Sequence, residues 1–220
     1  MQNYIDKSLD KDFLQIEGLK YLPWVGKDFE NQEVKILLIP ESVYNWGKDK
    51  EARKVADEAI NNNNFARIVA YEHGIEYPSS KRKLARNIEK LFDIDYKNND
   101  ERIDFWRSIV FHELVQRPLK NIIERPNNKD YELGALVLTR IIEILKPKKC
   151  IFFGTTWSKF ANFRKSLTQN YTVNEKHFHK TNNAYPKILF LRELDSKIYF
   201  IRHPSKGFSP ELWKEFIFKN

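Results

Sequence analysis

Four short apolar runs, each followed at once by polar turn residues, constrain this chain more than any other feature. They cover residues 34–39, 107–114, 150–153 and 198–201. Short apolar runs of this kind are typical of parallel β-strands that are covered on both faces. Helical patterns lie between them, so the sequence predicts an α/β layer fold with four parallel strands and right-handed crossovers.

Three segments between or after these runs have helical patterns. Residues 130–149 carry an apolar stripe at helical spacing, formed by Leu133, Val137, Ile141, Ile144 and Leu145, and Pro147 marks its end. Residues 78–92 contain a second helix whose predicted buried face is Leu84, Ile88, Leu91 and Phe92. In the third, residues 209–218, Ser209 is the expected cap and Pro210 the first helical residue.

Composition narrows the class of protein. With 220 residues, 41% of them hydrophobic, the chain can fold as one buried domain, and we expect residues 1–33 to be a helical extension packed on it. No apolar run has the length of a membrane span, the start has no signal-peptide pattern, and Cys150 is the only cysteine. We therefore expect a cytoplasmic monomer without a membrane partner, cofactor or metal cluster. The net charge of +8 favours a nucleic-acid partner, although solubility alone explains such a charge in many proteins.

Polar segments follow all four predicted strands. They read "PESVYNWG", "HELVQRP", "GTTW" and "RHPSKGF" in chain order. In an open parallel sheet, ligands bind outside the carboxyl ends of the strands. The sequence therefore predicts that these four segments meet at one edge of the sheet and form a site there.

Two residues of these segments have the chemistry of a catalytic pair. Glu41 could orient a water molecule or stabilise a developing cation, although a solvated loop acid is an equally ordinary fate for it. His203 directly follows a strand and is a candidate hydrogen-bond donor or acid; its alternative is a histidine satisfied by local backbone. A nucleophilic Ser42 is disfavoured because the glycine-flanked elbow that exposes such a serine is absent.

Other side chains in the same segments could contact a ligand. Tyr44 and Trp46 could stack on a planar group or pack under their own loop. His112 could contact the edge of a ligand, while its neighbour Glu113 could simply pair with Arg117. The full set of substrate-binding candidates is Ser42, Tyr44, Asn45, Trp46, His112, Gly154 and Ser205.

Two further patterns are less specific. His177 and His179 have a spacing that a metal could use on a strand, but without a third ligand a polar surface loop is the preferred interpretation, and we predict no metal site. Arg82, Arg86 and Lys90 recur every four residues and could lie along a phosphate backbone. The alternative is that this basic ridge is the solvated face of its helix.

Three of these motifs, in this order, resemble the uracil-DNA glycosylase superfamily. "ILLIPESVY" is similar to its first motif, an apolar strand followed by a short polar loop, and "EILKPKKCIFFG" is similar to a helix and strand that end in an apolar run into glycine. "RHPS" matches its His-Pro-Ser motif after the last strand. The likeness spans residues 34–209. It implies a three-layer α/β/α fold around a four-stranded, mostly parallel sheet, and extrusion of a base from DNA.

The resemblance also implies roles for individual residues. Glu41 would place water and stabilise a positively charged sugar, and His203 would hydrogen-bond the departing base. Tyr44 would form a wall of the pocket, and His112 would stand where that family often has a base-reading asparagine. Lys206 and Phe208 would lie in the segment that usually enters the minor groove. Together with the basic ridge of Arg82, Arg86 and Lys90, which the charge pattern alone suggests, they are the predicted nucleic-acid contacts.

The chain departs from the family pattern at several positions. Pro40 replaces a glycine, Ser42 replaces the aspartate of one branch, and Cys150 alone cannot hold the iron–sulfur cluster of another. These departures bear on uracil specificity and on activity itself. The leading hypothesis is a base-excising DNA glycosylase with no cofactor. Its rivals are a non-catalytic nucleic-acid-binding protein on the same fold and a hydrolase of small nucleotides or nucleosides.

Overall fold

The computed structural model describes residues 1–77, 82–205 and 207–220. Within these residues, seven strands form a single sheet. They are β1 (Trp24–Val25), β2 (Ile36–Ile39), β3 (Val110–Phe111), β4 (Lys149–Phe153), β5 (Val173–His177), β6 (Lys187–Leu191) and β7 (Ser196–Ile201). The order across the sheet is β1-β3-β2-β4-β7-β6-β5.

The four predicted strands form the parallel centre of this sheet. β3, β2, β4 and β7 are neighbours and run parallel, whereas β1, β6 and β5 pair antiparallel. The expectation of a four-stranded sheet was therefore wrong, since three antiparallel strands extend it. β1 has only two residues and the edge strand β5 is mostly polar, so neither gives an apolar run. β6 does carry one, over residues 188–191, and sequence analysis missed it.

Helices surround the sheet. They are α1 (Asp10–Phe13), α2 (Lys50–Ile60), α3 (Phe65–Tyr71), α4 (Lys83–Leu91), α5 (Asn99–Ser108), α6 (Asn128–Leu145), α7 (Trp157–Leu167) and α8 (Pro210–Lys219). A π-helical turn, Glu72–Glu76, continues α3. None of the helices in the described part of the chain is long and apolar enough to cross a membrane.

Alternate residues of the strands enter two separate hydrophobic cores. In β4, Cys150 and Phe152 pack with α6 and α7, while Ile151 and Phe153 pack with α4, α5 and α8. This alternation follows from the period of two in a strand, where successive side chains point to opposite faces. Both faces of the central strands are therefore buried under helices, in three α/β/α layers.

The amino-terminal segment does more than add helices. Residues 1–33 supply β1, which pairs with β3, and the core side chains Phe13, Leu22 and Phe29. The only α-helix in this segment is the four-residue α1. The helical character expected for it was therefore only partly right, because one strand of the sheet comes from this extension.

Helix boundaries show where local signals were sufficient. Ser209 is the N-cap of α8 and Pro210 its first residue, as predicted. The prediction of a strand at 107–114 was wrong at its start, because residues 107 and 108 belong to α5. This helix begins after its capping residue Asn98 and extends to Ser108. In α6 the predicted stripe holds for Val137, Ile141 and Leu145, but Leu133 is exposed.

Candidate active site

The loops that follow the parallel strands are joined to each other by backbone hydrogen bonds. The Leu114 N–H donates to the Pro40 carbonyl (3.0 Å) and the Val115 N–H to the Glu41 carbonyl (2.9 Å). Further along, the Leu119 N–H donates to the Val43 carbonyl (2.9 Å). The pairing of β2 and β3 therefore continues past the strands, and it fixes the backbone of Glu41 at the carboxyl edge of the sheet.

The Glu41 carboxylate has two partners on other elements. Its Oε1 accepts a hydrogen bond from the Tyr131 hydroxyl of α6 (2.6 Å) and forms an ion pair with the Lys159 ammonium of α7. Burial, followed by the bond to Glu41, raises the pKa of Tyr131, so its phenol stays a donor. The Glu41 side chain remains 17% exposed, which leaves part of the carboxylate open to a ligand.

The tautomer of His203 follows from its local partners. The Ser205 backbone N–H, which can only donate, points at His203 Nδ1 (3.2 Å), and Ser205 Oγ lies 2.9 Å from the same atom. Nδ1 must therefore accept, so in the neutral ring the proton is on Nε2. The ring stands edge to face with Phe153 at a centroid distance of 6.2 Å. His203 thus offers one fixed N–H donor at the end of β7.

The charges of Glu41 and Lys159 both act on His203. Although the residue keeps contact with solvent, partial desolvation of its ring lowers the pKa of His203 below 6.5; Glu41 opposes this shift and Lys159 adds to it. The neutral ring therefore predominates at physiological pH. Glu41 and His203 follow the ends of β2 and β7, as the strand-end prediction expected, and Lys159 lies in the first turn of α7, the helix that follows β4.

His112 is placed differently from the sequence expectation. It is fully buried, and the pKa of its ring falls to about 3 because of that burial. Gln116 accepts from the backbone N–H groups of Lys20 and Tyr21 through Oε1, so its Nε2 is a donor and contacts His112 Nε2 (3.2 Å). The proton of His112 is then on Nδ1, which has no hydrogen-bond partner among the described residues. A surface contact with a ligand edge is therefore wrong for His112 as it stands.

Glu113 is buried beside Glu41 and does not pair with Arg117. Burial, and secondarily the charge of Glu41, raises the pKa of Glu113 to about 8. Its Oε2 has no hydrogen-bond partner in the part of the chain that the structure describes. Arg117 instead binds Asp130 and Glu124. The site thus contains one carboxylate held by a cation and one carboxyl group that keeps its proton at neutral pH.

The aromatic loop after β2 divides into fixed and exposed parts. The Asn45 amide donates to the Arg53 carbonyl (2.9 Å) and to Asp57 (2.7 Å), and these bonds tie the loop to α2. Because its amide hydrogens are used in this way, Asn45 itself is not available to bind a ligand. Trp46 is half-exposed and stacks on Phe65. Tyr44 is exposed, and Ser42 is partly buried next to Glu41.

Gly154 lies between the end of β4 and the start of α7. A Cβ atom there would come within 2.8 Å of the Phe152 ring and 3.3 Å of the Lys159 side chain. The missing side chain therefore lets Lys159 pass close to the backbone on its way to Glu41. Gly154 shapes the site through Lys159, and Ser205 acts through His203.

Two of the predicted nucleic-acid contacts are wrong. Arg82 is fully buried and its guanidinium pairs with the buried Glu89, so it cannot reach a phosphate. Phe208 stacks on Trp213 and packs against the core, which leaves no free wedge. Arg86 and Lys90 lie over the ring of Tyr96 and keep some exposure. Lys206 lies outside the described residues.

Sequence reasoning missed three residues of this site. Tyr131 and Lys159 are 90 and 118 positions from Glu41, and no local pattern links them to it. For Glu113, sequence reasoning offered only an ion pair with Arg117 as one alternative, and no role in the site. The signal that could have found Lys159 is its place two residues after Trp157, directly beyond a predicted strand.

The described residues hold no cluster of three or more metal-ligating side chains. Two recesses lie away from Glu41 and His203: one of about 770 Å³ beside Tyr96 and α8, and one of about 1160 Å³ between the amino-terminal segment and α6. Their charged groups include matched pairs such as Lys214–Asp93 and Arg140–Glu143. The unpaired polar groups at Glu113 and His112 make the sheet edge the better candidate.

No protein-family model matches this chain, and no curated protein sequence matches it.

Proposed function

We propose that the protein hydrolyses N-glycosidic bonds of deaminated bases in DNA. The observation that carries the proposal is that Glu41, whose Oε1 binds Lys159 and Tyr131, acts electrostatically on a neutral His203, and that the Nε2–H of His203 has no hydrogen-bond partner among the residues that the structure describes. The α/β/α layering and the parallel centre of the sheet support the proposal at the level of fold class, although the sheet has seven strands where the resemblance implies four.

The reaction places opposite charges on its two fragments. As the C1′–N bond breaks, its electrons leave with the base, and the sugar becomes an oxocarbenium-like cation. Glu41 stabilises this cation and takes a proton from the attacking water. His203 donates from Nε2 to the base as it gains negative charge, and a neutral imidazole serves because the donor is needed without a full proton transfer.

One observation favours the non-catalytic rival. Lys159 neutralises the Glu41 carboxylate in the unliganded protein, and a neutralised carboxylate stabilises a sugar cation less. A nucleic-acid-binding protein on this fold would keep the ion pair as a structural tie. Catalysis requires the substrate to compete for Lys159, for example through a backbone phosphate.

A base-release assay tests the proposal. Purified protein is incubated with single- and double-stranded DNA that carries uracil, hypoxanthine or xanthine, and alkali then cleaves the abasic sites formed. Free deoxyuridine is included as the small-nucleoside substrate. Glu41→Gln and His203→Ala are the test variants; Glu58→Gln and His179→Ala, at exposed positions on α2 and after β5, are the matched controls.

Strand breaks that disappear in the two test variants and persist in the two controls are the expected result. Salt-sensitive retardation of DNA with no product would instead favour the binding protein. Release of base from free deoxyuridine alone would assign the site to nucleosides. Product of equal yield in all variants would exclude Glu41 and His203 as the catalytic pair.

A further inference from the structure

The first turn of α7 connects the Glu41 site to a second group of side chains. Lys159 reaches back to Glu41, while Trp157, two residues earlier, lies against His177 at the end of β5 with a ring separation of 6.0 Å. Both rings also contact Phe160, which anchors them to the core. An aromatic pair therefore lies beside the site, on the side of the sheet edge toward β5.

Tyr185 is held at the same place by an unusual lysine. Lys187, at the start of β6, is 5% exposed, and its ammonium donates to the carbonyl oxygens of Thr155 (2.9 Å) and Tyr185 (3.0 Å). This bridge brings the backbone of Tyr185 next to the residues that lead into α7. Trp157, His177 and Tyr185 are called the aromatic patch below.

The aromatic patch is not part of the core. Trp157 is 64% exposed and Tyr185 is 60% exposed, although large aromatic side chains contribute most to stability when buried. Exposed aromatic groups on a fixed backbone are a common feature of binding surfaces.

The charge of the whole chain indicates what kind of partner the aromatic patch would bind. Lys159 and Arg164 are balanced by Glu41 and Glu175, and the ammonium of Lys187 is buried against carbonyl groups, where burial lowers its pKa. The charge that favours a polyanion is therefore that of the whole chain, +8. Exposed rings on a protein of positive net charge match a polyanion that carries flat groups.

We propose that the aromatic patch stacks the bases of single-stranded nucleic acid next to the Glu41–His203 site. Stacking needs a free base face, which a duplex hides inside its own stack, whereas a single strand offers one at every nucleotide. The proposal deepens the proposed function and rests on it in one respect, that the bound strand delivers its base to Glu41 and His203. It assigns the substrate as single-stranded.

Fluorescence anisotropy of labelled strands tests this surface. The probes are oligo-dT, a duplex of the same length, and a deoxyribose-phosphate strand of that length that lacks bases. The variants are Trp157→Ala, Tyr185→Ala and Trp157→Phe. The matched control is Phe218→Ala, because Phe218 is an exposed aromatic (48%) at the opposite edge of the sheet, beside Lys149 at the start of β4.

Trp157→Ala and Tyr185→Ala are each expected to weaken oligo-dT binding about tenfold, which is within the range for loss of one stacked base. Trp157→Phe keeps a ring and retains most of the affinity, and Phe218→Ala retains all of it. Binding of the baseless strand is expected to be weaker for the wild type and unchanged by the variants. Unfolding midpoints of the variants show that the fold is intact.

Three outcomes would contradict the proposed stacking of bases on the aromatic patch. They are unchanged oligo-dT binding in both alanine variants, an equal loss of affinity for the baseless strand or the duplex, and no binding of oligo-dT by the wild type. The probes carry no cleavable lesion, so this readout does not depend on catalysis. A protein that stacks oligo-dT through Trp157 but releases no base would contradict the proposed function and leave the aromatic patch supported.

Discussion

Two histidines end two parallel strands of the same sheet and have opposite environments. His112, after β3, is buried, with one ring nitrogen facing Gln116 and the other without a partner. His203, after β7, is exposed, and its Nδ1 is satisfied by Ser205. Position in the topology is the same for both, so the partners decide the role. Only His203 presents a donor that a substrate can reach.

The comparison predicts a large difference in rate between variants at the two positions. His203→Ala should lower base release by about 10²- to 10³-fold, the usual loss for a donor aimed at developing negative charge. His112→Leu should stay within about threefold of the wild type, because Gln116 keeps the Glu113 and Leu114 carbonyl oxygens as acceptors. Steady-state base-release rates of the two variants measure this. Equal losses would show that His112 also reaches the substrate.

The buried pair at the end of β3 predicts an unusual pH dependence of stability. Glu113 keeps its proton in the native state up to about pH 8 but releases it near 4.5 when unfolded, so its contribution to the free energy of unfolding falls as pH rises between those values. His112 acts in the opposite direction, since it is neutral down to about pH 3 when folded and protonates near 6.5 when unfolded. The two slopes cancel between pH 4.5 and 6.5.

Glu113→Gln removes one of these slopes. At pH 8 the variant should be more stable than the wild type by an amount on the order of a few kcal/mol, at roughly 1.4 kcal/mol per pKa unit. At acid pH the advantage should vanish. Urea unfolding of both proteins across the pH range gives the difference. Parallel curves for the two proteins would show that Glu113 is not protonated in the native state.

The charges around His203 predict two pKa changes of opposite sign. Lys159→Met should raise the pKa of His203, because the ammonium lowers it, and Glu41→Gln should lower it, because the carboxylate raises it. NMR titration of the ring protons measures both. His112 is the internal reference: its pKa of about 3 keeps its signal constant above about pH 5. If the pKa of His203 is the same in all three proteins, the charges of Glu41 and Lys159 do not act on its ring.

A much smaller loss of base release than that of His203→Ala is expected at Ser205. Ser205→Ala removes the hydroxyl but keeps the backbone N–H that sets the tautomer. Base release should fall about two- to tenfold, as expected for one hydrogen bond. A loss as large as that of His203→Ala would mean that the hydroxyl itself contacts the substrate.

Local patterns were enough for the centre of the fold but not for side chains that depend on a helix boundary. The four central strands and the start of α8 have signals within a few residues. Arg82 was assigned to a basic ridge on the assumption that it belongs to the helix of Arg86 and Lys90. It is the N-cap of α4 instead, with non-helical backbone, and its side chain turns inward to Glu89.

The candidate site was predictable where one residue follows a strand and not where two distant elements meet. Glu41 and His203 follow apolar runs, and their meeting follows from parallel strands alone. The partners of Glu41 come from helices that are distant from it in sequence, Tyr131 on α6 and Lys159 on α7. Such contacts depend on packing, which a single sequence does not show.

The backbone pairing between the loops after β2 and β3 has a consequence for how this protein can change. The carbonyl groups of Pro40, Glu41 and Val43 carry the pairing, and no side chain takes part in those bonds. Ser42 and Tyr44 can therefore be exchanged for other residues while Glu41 keeps its place. If the proposed function holds, a lineage or a selection experiment could change the base that this loop admits and keep the Glu41 carboxylate in place. Deletion of a single residue from this loop would instead shift the backbone pairing, and would disturb the position of Glu41 together with that of Ser42 and Tyr44.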